Sequence, residues 1–310
     1  MAITKVPFEN EYGKGEIIES RVTLTMPGAG ADAKPICRFV HITDLHVTDS
    51  RPGDDPETAA LANKNAAFWA NIADFCVVTP DGSKKRLMPT ETNNTIAQRI
   101  REVAPDAVFF TGDTVDFPSV SNFLAVKDYM DSLGTKCFIA PGNHDDLEGN
   151  TDEELVRAFE LAVGTVENFA VDTVCGIDII CINDGFTKVT AEQVEKLRAQ
   201  LESRRPSIVL LHAPVITQSV FNPAESMWGL DDLIRWLVGM EGQGENCMEF
   251  VRLLNENRDT VIAVFAGHVH VASGGGDGAE RGEQFSPDEV LQFTAAPSFC
   301  GFLRVIEVLG

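Results

Sequence analysis

The sequence predicts an α/β fold in which strands meet in a partly parallel sheet. From residue 37 onward, short apolar runs of strand length alternate with amphipathic runs of helix length. The chain has 310 residues, 44% of them hydrophobic, which is enough to bury a sizeable core. We therefore expect one large domain, with room for a small cap.

Residues 1–35 are predicted to form an N-terminal extension, and residues 36–310 the main domain. The run EIIESRVTLTM reads as one strand, and the following PGAGADAKP has the proline and glycine content of a loop. We assign no chemistry to this extension.

Several helices have readable starts and apolar faces. TDEELVRAFELA begins with Thr151 and Glu154, and TAEQVEKLRAQL begins with Thr190 and Gln193; both pairs have the spacing of a capping box. The segment NFLAVKDYMDSLG is predicted to end at a C-cap, Gly134. Apolar stripes on the helical segments are interpreted as core positions: Ile96, Ile100, Val103, Val194, Leu197 and Leu201.

Three further segments depart from the simple alternation of strands and helices. VENFAVDTVCGIDIICIND is predicted to form a hairpin that turns at Cys175 and Gly176. Residues 217–248, rich in aromatic and acidic side chains, are either a cap insertion that overhangs a site or a surface helix packed by Trp228 and Trp236. SGGGDGAERG, residues 273–282, is predicted to be a flexible loop.

The charge balance restricts the partners of this protein. Lys and Arg total 25 against 47 Asp and Glu, a net charge of −22, so the overall field repels polyanions and binding of a nucleic-acid polymer is not expected. A small anion can still bind where a local positive charge overrides this field.

The cysteines and the N-terminus bear on the compartment. Seven cysteines without CxxC spacing are interpreted as reduced core thiols, and a bridge between Cys175 and Cys181 is expected only if the protein is exported. MAITKVPFEN lacks the apolar core of a signal peptide, and no run approaches the roughly 18 apolar residues of a membrane span. We therefore expect a cytoplasmic protein without membrane contacts.

Five of the predicted strands end at side chains that can bind a metal ion. His268 and His270 end VIAVFAGHVH, and because strand residues two apart point to the same side, their imidazoles can converge. An isolated pair of this kind is more often structural, but five of the six histidines lie at such strand ends, at the sheet edge where open α/β proteins build their sites. The other strand ends carry Asp44 and His46; Asp113; Asn143, His144 and Asp145; and His212.

The side-chain types favour a particular metal chemistry. Imidazole, carboxylate and amide oxygen without thiolate suit Mn, Fe, Zn or Co. A bridging aspartate would hold two cations roughly 3.5–4 Å apart, the separation that suits an in-line displacement. Two divalent cations, two carboxylates and a hydroxide leave a net charge of about +1, which matches a phosphodiester monoanion.

The motifs DLH, GD, GNHD, HAP and GHVH occur in this order and together resemble those of the calcineurin-like metallophosphoesterases. The resemblance covers about residues 37–310, although HAP stands where many phosphodiesterase relatives carry two histidines. It implies a four-layered α/β/β/α sandwich with mixed sheets and a dinuclear metal site at the carboxyl ends of the strands.

The resemblance also implies a set of ligands for two metal ions, Mn, Fe or Zn. The first metal would be held by Asp44, His46 and His270, the second by Asn143, His212 and His268, with Asp113 as the bridge.

Other polar residues near these motifs have separate expectations. By resemblance, His144 contacts the substrate and stabilises or protonates the leaving oxygen, and Asp145 is expected to orient the other nitrogen of the His144 ring. His41, three residues before Asp44, is expected to face the opposite side of its strand as a structural histidine. Arg51 and Asn222 are interpreted as solvated loop residues, with contact to a substrate phosphate as the alternative.

The expected function is metal-dependent hydrolysis of a small phosphodiester by a metal-bound hydroxide. The alternatives are a phosphomonoesterase or nuclease of the same fold, or a scaffold without activity. A scaffold would show broken ligand motifs, whereas all five motifs are intact here.

Overall fold

The structure is a computed structural model that describes residues 2–147, 149–164, 168–185, 187–274 and 288–310. The strands are β1 (Ala2–Asn10), β2 (Gly13–Thr25), β3 (Pro35–Ile42), β4 (Cys76–Val78), β5 (Lys84–Arg86), β6 (Ala107–Phe110), β7 (Lys136–Ile139), β8 (Phe169–Val174), β9 (Ile177–Ile182), β10 (Ser207–Leu210), β11 (Val261–Ala266), β12 (Ser273–Gly274), β13 (Gln292–Thr294) and β14 (Phe302–Leu309). The helices are α1 (Pro56–Ala73), α2 (Pro89–Val103), α3 (Val120–Leu133), α4 (Glu153–Val163), α5 (Ala191–Leu201), α6 (Gln218–Trp228), α7 (Leu230–Trp236) and α8 (Glu245–Glu256).

The strands form two mixed sheets. The 8-stranded sheet has the order β5-β4-β2-β14-β3-β6-β7, with β1 added beside β2, and the 6-stranded sheet has the order β12-β13-β11-β10-β9-β8. Strands β3, β6 and β7 are parallel, as are β9, β10, β11 and β13. The predicted mixture of parallel and antiparallel strands is therefore confirmed.

The apolar core lies in three layers, which define the α/β/β/α sandwich. The central strand β6 illustrates this, because its side chains alternate between two layers. Phe109 packs between the sheets at ring distances of 4.7 Å from Phe39 and 5.9 Å from Phe265, while Phe110 faces Tyr129 of α3 at 6.2 Å. A third apolar layer joins the second sheet to α5 and α8. Full burial of each such phenylalanine contributes roughly 1.5–3 kcal/mol.

One of the two predicted helix N-caps is confirmed and the other is wrong. In α5, the Thr190 hydroxyl accepts a hydrogen bond from the Gln193 amide at 3.2 Å, and the Gln193 side chain returns the contact to Thr190 N at 2.8 Å. The predicted Thr151 cap of α4 is wrong. Asp152 caps this helix instead, accepting from the amides of Glu154 and Leu155, since its carboxylate lies one residue closer to the free donors. Helix α3 ends at Leu133 with Gly134 as its C-cap, as predicted.

The predicted hairpin is present, and the N-terminal segment is more structured than expected. Strands β8 and β9 pair antiparallel across the turn at Cys175 and Gly176. The prediction of a single strand in residues 1–35 is wrong, because β1 and β2 form a second hairpin. The side chains of β1 are mostly exposed, so its sequence carries little apolar alternation. Strand β2 also pairs in parallel with β14; the division of the chain at residues 35 and 36 stays a prediction.

A disulfide bond corrects the expectation of seven reduced thiols. Cys37 of β3 is bonded to Cys175 in the β8–β9 turn, with the Cα atoms 6.2 Å apart and 138 residues between them in sequence. The bond joins the two sheets. Cys181, the alternative partner of Cys175, is a buried free thiol.

Two expectations about exposed segments can be compared with the described residues. Of the predicted loop 273–282, Ser273 and Gly274 form a short strand paired with β13, and residues 275–282 lie outside the described residues. None of the helices among the described residues is long and apolar enough to span a membrane.

Candidate metal centre

The two sheets bring their strand ends together at one rim, where the loops after β3, β6, β7, β10 and β11 meet. The structure gathers seven predicted ligands there into neighbouring groups: Asp44, His46, Asp113, Asn143, His212, His268 and His270. Their assignment as metal ligands stays a prediction, so each group is described by its geometry.

The first group consists of Asp44, His46 and His270, whose ligand-capable atoms lie within 4.8 Å of one another. His270 Nε2 is 3.2 Å from Asp44 Oδ1. His46 Nε2 is buried and has no hydrogen-bond partner among the described residues. A buried imidazole nitrogen without a partner is costly, and a cation at this position would satisfy it.

The second group consists of Asp113, His212 and His268, with Asn143 beside it. His212 Nδ1 lies 2.7 Å from the Thr111 carbonyl, to which it donates, so Nε2 is directed into the site. That nitrogen is 3.1 Å from His268 Nδ1 and 3.2 Å from both Asn143 Oδ1 and Asp113 Oδ2. These nitrogen and oxygen atoms suit a cation, which would satisfy all of them together.

Asp113 lies between the two groups. Its Oδ2 is 3.2 Å from His212 Nε2 in one group and 3.8 Å from His46 Nε2 in the other. Its Oδ1 accepts a hydrogen bond from the backbone amide of His144 at 2.9 Å, which fixes the carboxylate plane. One carboxylate oxygen of Asp113 therefore lies near an imidazole nitrogen of each group, so Asp113 could contribute to both metal sites.

The backbone is strained where the candidate ligands leave their strands. Five residues have φ between 43° and 66°: Asp44, His46, Asp113, His268 and His270. This left-handed region costs a residue with a Cβ atom about 1–3 kcal/mol, and such outliers cluster at functional sites. The packing of the rest of the fold holds these residues in the strained conformation, and their side chains converge as a result.

Two glycines in the motifs are required by close packing at the rim. A Cβ atom on Gly142 would overlap the carboxylate and backbone nitrogen of Asp113, and one on Gly267 would overlap the Thr43 hydroxyl and the Asp44 carboxylate. Without these side-chain atoms, the loop after β7 can approach the loop after β6, and the loop after β11 can approach the loop after β3.

The electrostatics of the site favour a bound positive charge. Burial alone would lower the pKa of His212, but Asp113, Asp44 and Asp184 outweigh burial and raise the pKa to about 10. Burial, together with His212, lowers the pKa of His268 to about 3. Without a cation, the site thus retains a proton on His212, and a cation that binds there would displace this proton.

The two predicted catalytic residues have different surroundings. The His144 side chain is 34% exposed, and its Nδ1 lies 2.5 Å from the Asp116 carbonyl oxygen, so Nε2 is left to face a substrate. Burial lowers the pKa of His144, but Asp113 and Asp116 outweigh burial and raise it. The expectation that Asp145 orients this ring is wrong: its buried carboxylate accepts from Gly142 N, Val115 N and the Thr114 hydroxyl.

Asp116 is a site residue that the sequence reasoning missed. Its Oδ1 is 3.4 Å from His46 Nδ1, so the donor nitrogen of His46 faces Asp116 and Nε2 faces the first group. The indole of Trp69 and the amide of Asn65 also donate to this carboxylate, at 2.5 and 2.6 Å. The signal in the sequence is the position of Asp116 in GDTVD, three residues after Asp113.

Asp184 was missed in the same way. Its carboxylate accepts hydrogen bonds from the backbone amides of His212 and Ala213, at 2.9 and 3.2 Å, and so holds the loop after β10. Asp184 follows β9, the strand that pairs with β10, in the run ICIND. A sixth strand therefore also ends in a polar residue at this rim.

The remaining polar candidates lie away from the ligand groups, as interpreted. His41 is buried between the sheets, with its ring 2.8 Å from the Thr111 hydroxyl and 5.2 Å from the Phe265 ring centroid. Arg51 pairs with Asp49 and Asp128. Asn222 is exposed on α6.

Residues 217–248 lie beside the candidate site, and their assignment as a cap insertion stays a prediction. The segment contains helices α6 and α7, and the Trp228 and Trp236 rings pack against each other at 5.1 Å. Trp236 also lies 5.5 Å from the His268 ring, and Trp228 lies 6.3 Å from that of His270. The tryptophans therefore pack the segment directly against the candidate ligands.

Two neighbouring groups of imidazole and carboxylate side chains, with Asp113 between them at the rim of an α/β/β/α sandwich, are typical of two-metal phosphoesterases. The chain belongs to the calcineurin-like phosphoesterase family, whose model matches residues 37–272. The predicted family and fold are thereby confirmed. Membership supports metal-dependent hydrolysis of phosphoric esters with two divalent cations.

Similarity to one solved structure supports the fold, and two others are less similar. A dimetal phosphatase from Danio rerio has 11% sequence identity and a TM-score of 0.51, with 86% of this chain and 89% of that chain covered. A protein from Thermus thermophilus has 10% identity and a TM-score of 0.47, covering 85% and 90%. A purple acid phosphatase from yellow lupin (Lupinus luteus) seeds has 16% identity and a TM-score of 0.41, covering 86% and 43%. Comparison with curated proteins finds no match.

Proposed function

We propose that this protein hydrolyses a small phosphodiester with the help of two metal ions, Mn, Fe or Zn. The observation that carries the proposal is the position of Asp113 Oδ2, which faces His212 Nε2 at 3.2 Å and His46 Nε2 at 3.8 Å. We infer these metals from the candidate ligands, because nitrogen and oxygen donors without thiolate suit these ions. When bound, the two cations would activate water and neutralise charge that develops on the phosphoryl oxygens.

The protein's own residues orient the ligands and provide a proton donor. Asp116 turns His46 Nε2 toward the first group, and the Thr111 carbonyl does the same for His212 Nε2 in the second. His144 is held by its Nδ1 at the Asp116 carbonyl, so a proton on Nε2 is directed toward the site. We assign this proton to the leaving oxygen of the ester.

The charge of the site favours a diester over a monoester. Two divalent cations, the carboxylates of Asp44 and Asp113 and a hydroxide nucleophile sum to about +1, which balances the single charge of a diester. In the described parts of the chain, the ion-pair partners of Asp44 and Asp113 are histidines, and Arg51 is engaged by Asp49 and Asp128. None of these contacts provides a free arginine or lysine that could neutralise the second negative charge of a phosphomonoester.

The surface charge favours a small substrate. The net charge of −22 repels a long polyanion, and α6 and α7 occupy the space beside His268 and His270.

A cytoplasmic location is proposed from the sequence alone. The Cys37–Cys175 disulfide bond counts against this location, because disulfide bonds are more frequent in oxidising compartments.

The proposal is tested by metal analysis together with a substrate panel. Freshly purified protein is expected to hold two transition-metal ions per chain. It should also have a higher kcat/KM for bis-p-nitrophenyl phosphate than for p-nitrophenyl phosphate or single-stranded DNA. The Asp113→Asn variant serves as the inactive control for contaminating phosphatases. A clear preference for the monoester or for DNA would show that the substrate class is wrong.

A further inference from the structure

Two tryptophans stand beside the candidate ligands on the side of β11. Trp236 lies 5.5 Å from the His268 ring and Trp228 lies 6.3 Å from the His270 ring, so each indole neighbours a different ligand group. The two indoles meet each other at 5.1 Å with an angle of 72° between their planes. They therefore form a corner of two nearly perpendicular aromatic faces next to the site.

The position of this corner is fixed by the fold. The Trp228 indole nitrogen donates a hydrogen bond to the carbonyl of Val269, the residue between the two histidines, at 2.7 Å. The helices that carry the tryptophans are anchored beneath by an apolar cluster that includes Val220 of α6, Leu233 of α7 and Val269. The indoles are thus held in register with His268 and His270, while both remain partly exposed to solvent.

Trp69 provides a contrast on the other side of the site. Its indole nitrogen donates to Asp116, and its ring packs 4.2 Å from His46 and 5.1 Å from Phe299. Through these contacts, Trp69 helps to hold the His46 ring in place. Trp236, by comparison, makes ring contacts only with Trp228 and His268 among the described residues.

We propose that Trp228 and Trp236 form a stacking platform for an aromatic ring carried by the substrate. The inference rests on the proposed function: the phosphodiester would have an aryl or nucleobase group on the ester arm that is retained when the leaving group departs at His144. An uncharged planar ring can lie flat on one indole with its edge toward the other. A cationic group is disfavoured there, because the neighbouring metal ions would repel it.

The platform is tested by binding rather than by turnover. The probes are methyl phenylphosphonate and methyl cyclohexylphosphonate, which have the same charge and similar apolar size but differ in aromaticity. Calorimetric titration of the Mn²⁺-loaded protein is expected to show roughly three- to ten-fold tighter binding of the phenyl compound, the effect of one good aromatic contact. Trp236→Leu should abolish this preference, and Trp236→Phe should retain part of it.

The controls separate stacking from a loss of structure. Met227→Ala, an exposed side chain on α6, should keep the full preference, and all variants should bind the same amount of Mn²⁺. Equal binding of the two probes by the unaltered protein, or a preference that persists in both Trp228→Leu and Trp236→Leu, would overturn the platform. If phenyl preference is found in a protein that hydrolyses monoesters best, the diester proposal fails and the platform stands. Equal binding in a protein that hydrolyses diesters refutes the platform alone.

Discussion

Replacing Asp145 by alanine is expected to destabilise the protein strongly even without metal. The Asp145 carboxylate is fully buried and accepts hydrogen bonds from the Gly142 amide at 2.8 Å, the Val115 amide at 3.0 Å and the Thr114 hydroxyl at 2.7 Å. These three donors belong to the loops after β6 and β7, which carry the candidate ligands Asp113 and Asn143. The carboxylate thus connects two of the five loops that form the site.

The size of the effect follows from the donors left behind. A buried donor without an acceptor costs about 1–3 kcal/mol, and three such costs are not fully additive because the loops can relax and water can enter. We expect a loss of roughly 3–5 kcal/mol in the free energy of unfolding for Asp145→Ala. Asp145→Asn keeps one acceptor oxygen and should lose about half as much.

The assay is urea unfolding of chelator-treated protein, which removes any contribution from bound metal. The control is Glu160→Ala, which deletes an exposed carboxylate on α4 and is expected to change stability by less than about 0.5 kcal/mol. If Asp145→Ala unfolds within about 1 kcal/mol of the unaltered protein with the same slope, the hydrogen bonds do not hold these loops and the reasoning is refuted.

Four other outcomes are expected. His144→Ala should lower kcat by on the order of 10²- to 10⁴-fold with unchanged metal content, and normal turnover on an ester with a poor leaving group would refute its role as proton donor. Asp113→Ala should hold fewer than two metal ions by elemental analysis; two ions with full activity would exclude the bridge. Removal of metal by chelation should lower the thermal midpoint and Mn²⁺ should restore it, because a cation that binds only the folded state stabilises that state; an unchanged midpoint would argue against the site. Thiol titration of the denatured, unreduced protein should find five free thiols, the number left by the Cys37–Cys175 bond, and a count of seven would contradict the bond. Cys37→Ser should lower the free energy of unfolding by about 4–5 kcal/mol.

Much of the fold could be predicted because its information is local. Strands β6 and β11 are continuous apolar runs, since both of their faces are buried. The capping box of α5 and the turn at Gly176 depend on residues within a few positions of each other. Strand β1 was missed because an exposed edge strand has little apolar pattern to detect.

The candidate site could be predicted in part for a similar reason. The rule that sites lie at the carboxyl ends of parallel strands brings the five motifs to one rim. The expected strand alternation of His268 and His270 is wrong, because β11 ends at Ala266 and both histidines have positive φ in the loop that follows. Asp116 and Asp184 lay within reach of the same reasoning, but carboxylates that orient a ligand have no spacing rule of their own.

The sequence by itself determined the class of the fold, the family and the identity of the seven candidate ligands gathered at the rim. Only the tertiary structure decided which side chain supports which. It showed that Asp145 joins two loops instead of orienting His144, that Cys37 is bonded to Cys175, and that two tryptophans stand beside the histidine pair. The physical reason is that hydrogen bonds, disulfides and ring contacts depend on distances of a few ångströms between segments far apart in the chain. Those distances arise from the packing of the two sheets and their helices, which no local pattern of residues encodes.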